Sequence, residues 1–347
     1  MEEIVPRQWN PRIEGLRGFS ILLVFVFHLS NNRTHNWGAL GVGIFFVISG
    51  YVITGSMAKE FARASKPKLM VPKFLFAFYI RRGRRLLPLA FLVILLSLCI
   101  SLLDPLSDKR QYILSALFCF FYIGNLFGFT LGYSDLAPAL GHFWSLAVEE
   151  QFYLIWPVLF LLAVTKLPRI NQFTRWISIG ILAFALSHPL VAMAGVTVWT
   201  LPTTYFDLLF LGCGIRLITN RIENMSGIML NIIQFAGVFS LLAMIFVETF
   251  PTNGFASFFQ YNFNFFLVGI LFIFALNSSL FETRMLQFFG KISYSLYCIH
   301  VPLIIFSRTF FGDSILLMLF IAPLSVSISY LSNRYFESRF YTTAQRV

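Results

Sequence analysis

Glu14, Arg17 and His28 stand in one largely apolar run, IEGLRGFSILLVFVFHLSN, where charged side chains are costly. At about 100° per residue, the eleven steps from Arg17 to His28 bring both side chains within ~20° of one helix face, ~16 Å apart along the axis. An ionisable group at bilayer depth costs at least ~2.5 kcal/mol, so it faces a bundle interior or a watery cavity and marks a functional route. Imidazole exchanges a proton near neutral pH, and guanidinium holds anions. The competing reading is scaffold: Arg17 paired with Glu14 three residues before it, and His28 hydrogen-bonded inside a bundle.

Three further polar sets could join them. In GHFWSLAVEEQFYLIWP, Ser145, Glu149 and Tyr153 recur every four residues, giving one helix stripe that also includes Trp156. Adjacent Glu149 and Glu150 should point in different directions, so only one is expected to share a cavity with His28. His142 and Trp144 precede them, and the Trp and Tyr residues also suit a membrane interface. In KISYSLYCIHVPLI, Tyr294, Ser295, Tyr297 and His300 occupy a second helix, with His300 expected neutral and satisfied by a neighbouring hydroxyl. The basic run RRGRRLLP holds Arg81, Arg82, Arg84 and Arg85 on a short amphipathic stretch ending at Pro88. It fits either anchorage to anionic lipid or charge-assisted capture of an anionic cytosolic donor.

The elements that must carry these residues are membrane helices. Hydrophobic residues make up 58% of the 347 positions and charged ones 12%, with 43 Phe, so the chain is far more apolar than a soluble domain. It is expected to be all-α and polytopic. Apolar runs predict spans near 13–31, 38–57, 86–104, 144–165, 176–195, 204–219, 228–249, 259–278, 292–311 and 314–332. One domain over 1–347 is expected, with no soluble second domain, and the first span is expected to be retained because it lacks a signal cleavage site.

Charge sets the orientation. Lys59, Arg63, Lys66, Lys68, Lys73 and the four arginines at 81–85 oppose only Glu60 in one loop, which is therefore predicted to be cytoplasmic. The net charge of +11 has this cause, and no nucleic-acid partner is expected. The loops bearing Lys166, Arg169 and Arg175, then Arg221, then Arg284 and Lys291, and the tail with Arg334, Arg339 and Arg346 fall on the same side only if the apolar run 112–130 does not cross once. Ten spans, both termini inside, and a re-entrant or outward-lying 112–130 are predicted.

Cys99, Cys119, Cys213 and Cys298 lack metal or disulfide spacing and are expected to be buried thiols; no metal is expected. The glycines of GALGVGIFFVISGY suit close helix packing and do not form a dinucleotide fingerprint.

Taken in order, Arg17 with ten residues before His28, FFVISGY at 45–51, RRGRRLLP at 81–88, FWSLAVEEQFYLIWP at 143–157 and ISYSLYCIHVPL at 292–303 resemble the membrane-bound acyltransferase-3 family. The resemblance implies a bacterial inner-membrane enzyme that transfers acyl, most often acetyl, groups from cytoplasmic acetyl-coenzyme A to hydroxyls of envelope or exported glycans. No permanently bound cofactor is implied; acetyl-coenzyme A is a substrate, and a glycan or lipid-linked sugar and membrane lipids are the partners. The family's Arg-to-His motif falls on Arg17 and His28, its basic pair within Arg81, Arg82, Arg84 and Arg85, and its acidic WSL motif on Trp144, Ser145 and Glu149. Its late positions fall on Tyr294, Ser295 and His300.

Two departures stand out. Gly43 occupies a place where many relatives carry Asp or another polar residue, so no acid acts there. Some relatives append an SGNH-type domain; the stretch to Val347 carries none, so a stand-alone form is expected that completes transfer itself or passes the acyl group to a separate protein.

Acyl transfer to a hydroxyl needs a base and an oxyanion stabiliser. His28 is the expected base or acyl carrier, and both direct transfer and a covalent acyl-histidine remain open. Arg17 is expected to hold the donor, or to orient His28 through a carboxylate such as Glu14 or Glu149. A glycan transporter or flippase is the alternative; the absence of an inverted repeat argues against it. A polymerase would be expected to carry a large outer loop.

Overall fold

A computed structural model describes residues 10–30, 37–63, 71–129, 135–166, 175–181, 183, 205–223, 226–247 and 255–340. Its main helices are α1 (Pro11–Leu29), α2 (Trp37–Arg63), α3 (Val71–Leu103), α4 (Lys109–Phe120), α5 (Phe143–Lys166), α6 (Phe206–Glu223), α7 (Gly227–Val247), α8 (Phe255–Asn277), α9 (Arg284–Lys291), α10 (Ser293–Phe311) and α11 (Ile315–Leu331). No strand occurs among the described residues. The chain is an all-α polytopic membrane protein: α2, α3, α5, α10 and α11 with its continuation are long and apolar enough to cross a bilayer. Leu95, Leu96, Leu102, Leu154, Leu316 and Leu319 stand exposed along these helices, as a lipid-facing surface requires. Helix α1 has 19 residues, but Arg12, Glu14 and Arg17 in its first half set it apart from those five. The predicted span 176–195 lies mostly outside the described residues.

The chain divides into two compact units, each assembled from separate segments. The first comprises residues 1–27, 32–71 and 152–290. Here α2 lies along α6, and glycines set the approach. A Cβ on Gly50 would stand 1.9 Å from the Leu209 carbonyl oxygen, and one on Gly212 would stand 2.0 Å from that of Val47. Small residues permit such contact in lipid, where van der Waals packing takes over much of the role of the hydrophobic effect. Trp156 donates its indole N–H to Thr54 (3.0 Å), and the buried Arg216 donates to the Tyr51 hydroxyl (3.2 Å) beneath the same pair of helices. We expect Gly212→Val to force α2 and α6 apart at a cost of about 3 kcal/mol. Detergent thermal unfolding should show a clearly lowered midpoint; an unchanged midpoint would mean that the helices separate without penalty.

The second unit comprises residues 28–31, 72–151 and 291–347. Helix α3 runs unbroken for 33 residues through Pro88. The sequence reading ended an amphipathic stretch at that proline; instead the basic cluster sits well inside one long helix. Helix α4 has 12 residues, a rise of ~18 Å against a hydrocarbon core of ~30 Å, so the run 112–130 does not cross as one helix. Asp108 caps α4 by accepting from the Gln111 amide (3.0 Å), and Ser115 accepts from the Ala137 amide (2.9 Å), tying the short helix to the approach to α5. Cys119, Cys213 and Cys298 are buried as expected, whereas Cys99 is exposed on the C-terminal part of α3, where Leu95, Leu96 and Leu102 are exposed too.

Candidate active site

All the components below except Arg17 and Glu14 belong to the second unit, which includes His28 at the end of α1. Their core is a set of three imidazoles. His300, fully buried on α10, has Nδ1 2.8 Å from the Leu296 carbonyl oxygen and 2.9 Å from that of Tyr297. Carbonyls only accept, so Nδ1 carries the proton and Nε2 carries the lone pair. That lone pair meets Nδ1 of His28 at 3.3 Å, with the rings edge-on and centroids 4.9 Å apart. His28 therefore donates from Nδ1, which puts its own lone pair on Nε2. The sequence reading expected a hydroxyl to satisfy His300 and gave, as one of two roles for Arg17, orienting His28 through a carboxylate. Backbone carbonyls do the first, because a helical side chain leans back over the preceding turn, and His300 orients His28.

His142 is the third. Pro302 has no N–H, so the Cys298 carbonyl four residues earlier lacks its usual helical donor. His142 supplies one, donating from Nε2 at 3.3 Å. Tyr297 donates its hydroxyl to the His142 carbonyl (2.9 Å), and Ser145 donates in turn to the Tyr297 hydroxyl. These bonds fix the start of α5 against α10. At the other edge, Arg308 donates to the Leu29 carbonyl (3.2 Å) and pairs with Asp313 (3.3 Å), so the residue after His28 is held by a cation at the helix C-terminus.

The charged part of the site lies on α3 and α5. Arg82 stands 3.3 Å from Glu149 and 3.6 Å from Glu150, all three side chains being about one-fifth exposed. Both carboxylates thus reach one guanidinium, contrary to the expectation that they would diverge. The fork-shaped head on a long stem spans the angle between adjacent helix positions. Arg82, read from the sequence as part of a basic cytoplasmic loop, thus lies at one level with Glu149. Arg81 and Arg85 are half-buried and Arg84 is exposed. Trp144 is half-buried; Tyr294 donates its hydroxyl to the Leu86 carbonyl, and Ser295 donates to Glu337.

The remaining two predicted residues belong to the first unit. Arg17 lies 3.9 Å from Glu14 on helix α1, eleven residues before His28 in the sequence. Close packing surrounds this pair: a Cβ on Gly15 would lie 1.6 Å from the Phe281 carbonyl oxygen.

Sequence reasoning missed two members of the second unit. Glu337, 2% exposed, accepts from Ser295 and from Ser332 (3.2 Å), in a stretch that the sequence reading used only for its arginines. Tyr122 takes φ of 55°, a left-handed conformation unusual for a bulky residue. Gln151 donates to its carbonyl (2.9 Å) and to Asn125 (2.8 Å), and its hydroxyl oxygen is buried. Backbone strain of this kind clusters at functional sites, but no residue pattern announces it.

Chemically, the site offers an imidazole whose tautomer is set by a second imidazole, and a guanidinium between two carboxylates. Residues 10–334 match the profile of the acyltransferase-3 family, described as an acyltransferase domain. The O-acetyltransferase OatA of Staphylococcus aureus strain NCTC 8325 / PS 47 is 30% identical over 336 residues, covering 90% of this chain and 53% of that protein. The Staphylococcus aureus protein SAS0844 of strain MSSA476 is 30% identical over 362 residues, covering 96% of this chain and 57% of that protein. The chain thus spans about half the length of these curated relatives. No solved structure matches it. With a match that runs through nearly all the described helices and takes in both the histidine set and the Arg82 cluster, the chain belongs to the acyltransferase-3 family.

Proposed function

We propose that this protein is an O-acyltransferase of the bacterial cytoplasmic membrane, moving an acetyl group from acetyl-coenzyme A to a hydroxyl of an envelope or exported glycan. The observation that carries this reading is the His28–His300 hydrogen bond, which orients an imidazole lone pair in a chain of this family. The printed name of OatA supports acetyl as the acyl group and oxygen as its acceptor.

In the step proposed, His28 Nε2 takes the proton of the sugar hydroxyl as its oxygen attacks the thioester carbonyl. The new C–O bond forms, the C–S bond breaks, and the proton passes to the departing thiolate. His300 holds the His28 tautomer and shares the positive charge that develops. Arg81, Arg82, Arg84 and Arg85 draw the donor's phosphates, with the Arg82 guanidinium held in place by Glu149 and Glu150. Arg17 holds the donor from its side of α1, with Glu14 as its partner. Both termini are cytoplasmic in this scheme, which gives the basic loop access to the cytosolic donor.

Membranes carrying the protein should transfer labelled acetyl from acetyl-coenzyme A to polysaccharide isolated from cells that lack the gene. Mass analysis should show acetyl esters on surface glycans only when the gene is present. Glycans identical in both strains, with no consumption of acetyl-coenzyme A, would refute the reading and favour a glycan transporter.

A further inference from the structure

His300 has both ring nitrogens matched, but His142 does not. Its Nε2–H goes to the Cys298 carbonyl. Its Nδ1 is buried and has no hydrogen-bond partner among the described residues, in a side chain only 5% exposed. The ring cannot turn to serve both needs, because Nε2 answers the carbonyl freed by Pro302 and the His142 backbone is tied to Tyr297. His142 precedes helix α5; burial first, and the repulsion it would meet from a protonated His28 second, push its pKa down to about 3. At neutral pH Nδ1 is therefore a fixed acceptor, and a buried acceptor left unmatched costs about 1–3 kcal/mol. It lies beside the reacting histidines, its ring centroid 5.5 Å from that of His300.

An acceptor needs a donor. The reacting end of an acyl thioester offers only acceptors, whereas a sugar offers hydroxyl donors around its ring. We propose that Nδ1 of His142 accepts a hydrogen bond from a hydroxyl of the glycan acceptor, seating the sugar next to His28. This inference rests on the acyltransferase reading above. It gives His142 two separable jobs: Nε2 serves the scaffold, and Nδ1 serves the substrate.

Two amide replacements divide those jobs, since Gln places a donor near Nε2 and Asn places an acceptor near Nδ1. His142→Gln should keep the wild-type thermal midpoint while raising the apparent KM for the isolated polysaccharide by about tenfold or more. The KM for acetyl-coenzyme A should stay within about twofold, because that substrate's reacting end makes no use of an acceptor. His142→Asn should do the reverse, lowering the midpoint while leaving the polysaccharide KM near wild type. A wild-type polysaccharide KM in His142→Gln, or equal rises in both KM values, would overturn the inference and leave Nδ1 to a buried water or to packing. Wild-type protein that transfers no acetyl to the polysaccharide would instead overturn the acyltransferase reading itself, and this inference with it.

Discussion

Replacing His28 with alanine should lower kcat for acetyl transfer by roughly three orders of magnitude while leaving membrane insertion intact and lowering the thermal midpoint modestly, since His300 Nε2 loses its donor. The imidazole is only half-buried, so its removal opens little space in the core. What is lost is the group whose Nε2 lone pair meets the sugar hydroxyl. His300→Phe probes the same device one step back. The His28 ring would lose the His300 acceptor for its Nδ1 proton, so this bond would no longer set its tautomer. We expect a smaller fall in kcat than in His28→Ala, and little additional loss when both are changed, because two residues acting as one unit are not additive. Transfer of labelled acetyl by purified variants is the measurement. Near-normal turnover in His28→Ala would remove this imidazole from the chemistry.

Arg82→Ala should be damaging for a different reason. The guanidinium lies between Glu149 and Glu150, and its loss leaves two adjacent, partly buried carboxylates facing each other. Breaking a fully buried pair costs about 3–5 kcal/mol; at one-fifth exposure we expect about 2 kcal/mol. Folded yield and thermal midpoint should both fall, and the KM for acetyl-coenzyme A should rise. Arg85→Ala should raise that KM with a much smaller loss of stability. Neutralising both acids alongside Arg82→Ala, as Glu149→Gln and Glu150→Gln, should restore the midpoint without restoring donor affinity. A midpoint equal to wild type in Arg82→Ala alone would show that the two carboxylates are solvated well enough to stand without it. An unchanged donor KM in both arginine variants would return the basic cluster to lipid anchoring.

Much of this was legible in the chain itself. Long apolar runs fix helices because a bilayer leaves no other way to satisfy the backbone, and basic loops bias their own orientation. Helical periodicity put Ser145 and Glu149 on one stripe, and composition alone excluded a soluble fold. His28 and His300 were singled out because a titratable group is costly in lipid wherever it occurs. These are local properties, set by residue type and by spacing within one helix.

Tertiary structure decided everything that depends on which helix lies beside which. His28 and His300 are 272 positions apart, and nothing in either segment says that one imidazole orients the other. Glu149 and Glu150 were divided between directions by helical periodicity, yet Arg82, 67 positions before Glu149, gathers both, because a flexible side chain reaches further than the arc that separates two neighbours. The uninterrupted course of α3 through Pro88 placed that cluster inside one long helix, where the proline in the sequence had suggested an end. His142 gained its scaffold role only because Pro302, on another helix, freed a carbonyl at its side. The sequence by itself determined which residues were costly enough to need partners. Packing between distant segments determined the partners, because hydrogen-bond geometry is a property of positions in space and not of spacing along a chain.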